Sequence, residues 1–171
     1  MLEKYSSKNP ANRVRLTARF AFSTPAHVVA TFFGAGVLRP APGTWGTLAG
    51  ALVYALLAGA VPPPAWAAAA AVLFLLGVWA SGRTAEDLGV ADHGGIVVDE
   101  VAAIWLVCAF VPQEPLWWAA AFAAFRVFDI LKIWPGSWLD RHVKGGFGVM
   151  VDDLAAAFYA CAFLYMIQLA A

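Results

Sequence analysis

Residues 94–111, GGIVVDEVAAIWLVCAFV, decide how this chain is read. The stretch is long enough for a helix and apolar throughout, except for the adjacent acids Asp99 and Glu100. An ionised carboxylate held away from water is costly unless a proton, a cation or a hydrogen-bond donor compensates it. The two acids stand near one end of the run, so the question is what meets them there.

The rest of the chain gives the setting. Of its 171 residues, 62% are hydrophobic and 13% charged, and the mean hydropathy is +0.72. A soluble domain carries about 45–50% apolar and about 25% charged residues. The composition predicts an all-α integral membrane protein, a single domain over residues 1–171. The net charge of zero gives no pull toward nucleic acid. Cys108 and Cys161 lie inside apolar runs without metal-ligand spacing and read as small buried hydrophobes. Residues 1–19 form a polar, basic arm with no secretory signal pattern.

Apolar runs recur at 45–61, 65–80, 96–111, 115–131 and 154–171. A full crossing takes about 20 residues, so the shorter runs must borrow flanking residues or thin the bilayer. Letting the chain alternate sides through five spans puts every Lys and Arg, from Lys4 to Lys144, on one side or at its edge. The positive-inside rule makes that side the cytoplasm. The run 20–38 is bounded by Arg19 and Arg39, and a crossing there would break the pattern. It is expected to be an N-terminal helix that lies at the interface or re-enters from the basic side.

The acids follow the same geography. Asp99 and Glu100, Asp129, and Asp152 and Asp153 come from three helix ends at one expected depth. Five converging carboxylates require protons or cations, and hard divalent cations such as Mg²⁺ take oxygen ligands. In FRVFDILK, Arg126, Asp129 and Lys132 recur every third residue and share a helix face. An Arg fork and a Lys point charge suit a phosphate. Arg141, in the polar loop DRHVK, and Thr47, at the start of the first span, are further candidates for the phosphate. His93 or His142 could act as general acid or base. The glycines of KGGFG enter the last helix and could offer backbone N–H groups to an anion. With no GxSxG elbow and no Cys-x5-Arg loop, a metal-activated water is the natural nucleophile.

PGTWGTL, DHGGIVVDE, FRVFDILK-x-WP and WLDRHVKGGFGVMVDD, in this order, resemble the phosphatidylglycerophosphatase A family. The chain departs from the family pattern at Ala102–Ala103 and at Ile133, neither of them a charged position. The resemblance implies a bacterial, Mg²⁺-dependent lipid phosphatase of the inner membrane, multi-pass, with its site on the cytoplasmic side. The implied reaction removes the terminal phosphate of phosphatidylglycerophosphate, a phospholipid of the inner leaflet, to give phosphatidylglycerol. On this reading Asp99, Glu100, Asp129, Asp152 and Asp153 are the metal ligands and, with His93, the catalytic set. Arg126, Lys132, Arg141 and Thr47 hold the phosphate. Two other classes remain as alternatives. A CDP-alcohol phosphotransferase-like enzyme would need a DGxxAR…GxxxDxxxD pattern that is missing here. An ion-binding membrane protein without catalysis would place polar groups near the midplane or on both sides.

Overall fold

Prolines open four of the eight described helices. Pro25, Pro42, Pro63 and Pro115 each occupy the first turn of a helix, where a missing N–H costs nothing. The computed structural model describes residues 14–91 and 93–170. Within them the chain forms eight α-helices and no strand. These are α1 (Ala18–Ala21), α2 (Pro25–Ala30), α3 (Pro42–Leu57), α4 (Pro63–Leu88), α5 (Val98–Phe110), α6 (Pro115–Leu131), α7 (Gly136–His142) and α8 (Gly145–Ala170). Asp92 and residues 1–13 of the polar arm lie outside the described residues.

The all-helical expectation holds. The count of about five spans needs narrowing. Two helices, α4 and α8, each of 26 residues, are long and apolar enough to cross a membrane. The 16, 13 and 17 residues of α3, α5 and α6 give roughly 24, 20 and 26 Å at ~1.5 Å per residue, short of a hydrocarbon core about 30 Å thick. Leu56, Leu75, Leu116, Phe158, Met166 and Leu169 are all exposed, an outward apolar surface that water does not favour.

The single helix expected over 20–38 is instead broken into three short pieces: α1, α2 and a 3₁₀ turn at Ala35–Val37. Thr24 restarts the chain as the cap of α2, its hydroxyl oxygen accepting from the His27 backbone N–H at 3.3 Å. Gly34, at φ 85°, then turns it back. Val97 N–H donates to Ala30 O at 2.8 Å, which ties this segment to the start of α5.

Helix α5 is the hub. Val98, Val101, Ala102, Ile104, Val107 and Cys108 are all buried, so it is covered on every face. It packs against α3, α4, α6 and α8. At one end Tyr54, Trp66, Phe125 and Leu164 close around Ile104 and Val107. At the other, Ile96, Val98 and Met150 pack with Ala30 and Ala80. Gly146 lets α8 approach α4 closely: a Cβ there would fall on the Val78 carbonyl. Of the KGGFG glycines, Gly148 lies instead against the Val143 carbonyl, and Gly145 takes a left-handed φ of 74°.

Candidate functional site

Three helix segments deliver carboxylates to one place. Asp99 and Glu100 stand in the first turn of α5, where the aligned N–H dipoles favour negative charge. Asp153 lies two turns into α8. One oxygen from each of the three falls within 4.8 Å of the others. Asp99 and Asp153 are buried, at 6% and 4% exposure, and the Glu100 side chain is 12% exposed. Hard, anionic oxygens at this spacing, largely screened from water, form a donor set that fits a divalent cation.

Arg126 lies beside this cluster. Its Nη1 is 2.6 Å from Asp129 Oδ2 and 3.9 Å from Glu100 Oε1. The same nitrogen donates to Thr47 Oγ1 at 3.4 Å, and the Thr47 hydroxyl donates to Gly43 O at 2.8 Å. Arg126 Nε is buried and has no hydrogen-bond partner among the described residues. A buried guanidinium with a donor left over is prepared for an anionic acceptor. Gly43 makes room for the arrangement: a Cβ there would fall on Glu100 Oε1 and come within 3.5 Å of Arg126 Nη1.

Lys132 forms a second cationic centre. It ends α6 in a left-handed conformation, φ 43°. This turns its ammonium to Asp140 Oδ1 of α7 at 2.7 Å and Asp152 Oδ2 of α8 at 2.6 Å. A cleft beside it is lined by Phe128, Asp129, Lys132, Asp152, Asp153 and Tyr159.

The residues expected from sequence therefore sort into groups. Asp99, Glu100 and Asp153 converge. Asp129 sits on Arg126, and Asp152 on Lys132. Thr47 braces Arg126. Arg141 lies exposed in the last turn of α7, outside the acidic cluster. His93 is engaged elsewhere: Nε2 bonds Val14 O at 2.9 Å, and Nδ1 accepts from Gly95 N–H at 3.0 Å. These partners specify the Nε2–H tautomer and turn neither ring nitrogen to a carboxylate. His142 is exposed, stacked on Trp138, with Nδ1 at 2.8 Å from Trp138 O.

Sequence reasoning missed three features. Gly43 stood in PGTWG, but only packing shows what it faces. Asp140 is the partner that holds Lys132. His27 is buried and bonds Asp87 Oδ2 at 3.0 Å, joining α2 to α4; the separation of 60 residues left no local signal.

Comparison with known proteins gives the family. The family model described as Phosphatidylglycerophosphatase A matches residues 28–168. The Phosphatidylglycerophosphatase A of Haemophilus influenzae is 40% identical over 164 residues, 95% of this chain and 97% of its own length. That of Escherichia coli is 36% identical over 159 residues, 92% of each chain. A Bacteroides thetaiotaomicron protein provisionally named phosphatidylinositol-3-phosphatase is 36% identical over 140 residues, 78% of this chain and 87% of its own. No solved structure matches.

Proposed function

The chain belongs to the phosphatidylglycerophosphatase A family, and on that premise we propose that it hydrolyses the terminal phosphomonoester of phosphatidylglycerophosphate. The products are phosphatidylglycerol and inorganic phosphate. The observation that carries the site is the set of Asp99, Glu100 and Asp153 oxygens within 4.8 Å of one another, next to the buried guanidinium of Arg126. Acids to hold a cation and a fork to hold a phosphate are what a phosphomonoester site requires.

Each residue then takes a part. Asp99, Glu100 and Asp153 would hold the divalent cation, Mg²⁺, which when bound neutralises phosphoryl charge and acidifies water. Arg126 offers its Nε to a phosphoryl oxygen, while Asp129 and Thr47 fix the plane of the guanidinium. Lys132, steered by Asp140 and Asp152, lines the cleft and would offer its positive charge to the phosphoryl group. Water attacks phosphorus, the phosphorus–oxygen bond to glycerol breaks, and the proton that the water gives up balances the one that the departing oxygen takes. Arg141 meets the headgroup from outside the cluster.

The same reading makes the protein a multi-pass protein of the bacterial inner membrane with its site on the cytoplasmic side. Two helices long enough to cross, the exposed apolar surface, and the gathering of Lys and Arg on one side support it. Helices α3, α5 and α6 complete the bundle by thinning the bilayer or by borrowing flanking residues.

The deciding experiment follows phosphate release from phosphatidylglycerophosphate in detergent micelles, first in EDTA and then with Mg²⁺ restored. Release only with Mg²⁺ is expected. Release that survives chelation would keep the phosphatase and remove the metal site. No release from folded protein in either condition would overturn the reaction.

A further inference from the structure

The acidic cluster is bounded on one side and open on another. Toward α3 Glu100 lies close against Gly43, where a Cβ would strike its Oε1. Toward α6 and α8 the cluster runs into the cleft, and there the lining changes character. Asp129, Lys132, Asp152 and Asp153 line one part; Phe128, Ile133, Gly136, Ala156 and Tyr159 line the rest. Along α8, residues 152, 156, 159 and 163 share one face. That face passes from carboxylate to methyl to two aromatic rings in about three turns.

The apolar part is a built surface. Phe128 stacks on Tyr159 with ring centroids 5.8 Å apart, and its edge meets Phe163 at 6.0 Å. The Tyr159 hydroxyl donates to Trp134 O at 2.6 Å, which fixes the ring as a wall. Ala156 leaves space between the rings and the acids. Phe163, 50% exposed, opens the strip to the outside of the bundle, and Trp134 and Trp138 stand exposed at the polar end of the strip, as interfacial aromatics do.

We propose that this α6–α8 strip, in which Phe163 continues the cleft wall of Phe128, Ala156 and Tyr159, is a shallow lateral groove against which an acyl chain of the phospholipid substrate lies. The inference rests on the phosphatase reading and adds the side from which the lipid enters and the residues that measure its chain. The occupant is a diacyl phosphomonoester lipid: only a molecule charged at one end and apolar at the other matches both linings at once.

The test compares two substrates, dioleoyl and dihexanoyl phosphatidylglycerophosphate, in wild type and in Ala156→Phe. Filling the groove is expected to raise KM for the dioleoyl lipid on the order of 10-fold, with kcat held and the dihexanoyl substrate changed by less than about 3-fold. Ala156 is buried, so Tyr159→Ala is measured beside it. It removes the wall without adding volume and is expected to show the same chain-length split. Equal losses on both substrates, or no loss on either, would overturn the groove. If wild type releases phosphate from neither lipid, the phosphatase reading falls and the groove falls with it, a result distinct from a missing split.

Discussion

The chain carries two adjacent acid pairs, Asp99–Glu100 and Asp152–Asp153, and the fold treats them differently. Both members of the first pair reach the three-oxygen cluster, whereas the second pair divides, Asp153 joining the cluster and Asp152 turning to Lys132. Neighbours on a helix point roughly 100° apart, so an adjacent pair is divided unless something draws it together. In α5 the pair stands in the first turn, where the helix dipole favours acids by roughly 0.3–1 kcal/mol each, and the longer Glu100 side chain can reach around. In α8 the pair lies beyond that field and needs its own cation. Adjacency in sequence therefore does not assign a shared role; the neighbouring elements do.

The largest effects should fall on the cluster. Asp153→Asn is expected to weaken Mn²⁺ binding, read by electron paramagnetic resonance, by more than about 100-fold and to abolish measurable phosphate release. Asp152→Asn should leave Mn²⁺ affinity within about 3-fold and lower activity by on the order of 10-fold, through a misplaced Lys132. Equal loss of Mn²⁺ in the two variants would break the comparison and return Asp152 to the ligand set. Next in size is Arg126→Lys, which keeps the charge and loses the fork. We expect a fall of roughly 100-fold in kcat/KM with Mn²⁺ affinity unchanged. A fall of only a few-fold would mean that Arg126 acts as a point charge, not a fork.

Stability sharpens the contrast further. Lys132→Met removes the cation between Asp140 and Asp152 and should cost roughly 1–3 kcal/mol in a thermal or denaturant titration. Adding Asp152→Asn to that variant should recover part of the loss, because the buried acid no longer needs a partner. Strict additivity would show that the 2.6 Å contact contributes nothing to the fold.

Much of this was legible in the sequence. The apolar runs gave the helical class, and the acids Asp99, Glu100 and Asp153, singled out in the sequence, come together in the fold. The spacing of Arg126, Asp129 and Lys132 gave one stripe, and within it the Arg126–Asp129 contact. What could not be read was division within a motif. Nothing in FRVFDILK says that Lys132 leaves the helix in a left-handed turn to meet Asp140 and Asp152. Helix α8 starts at Gly145, well before its apolar run, and Gly146 in its first turn lies close against α4. The break of 20–38 into short pieces follows from Thr24, Pro25 and Gly34, local signals that an apolar average conceals.

His93 gives the smallest effect and tests the boundary of the site. A histidine in a loop leading into an acid pair reads as a proton carrier, yet both its ring nitrogens are spent on backbone, at Val14 and Gly95. His93→Gln keeps a donor for the Val14 carbonyl and gives up the acceptor for the Gly95 N–H. It should lose about 1 kcal/mol of stability. Phosphate release should stay within about 3-fold, and its pH profile should keep both limbs. The profile is the discriminating readout, since a latch and a general acid can lower the rate alike while only the acid carries a limb with it. Loss of one limb would move His93 from the scaffold into the chemistry and extend the site from the α5–α8 cluster to the loop that feeds it.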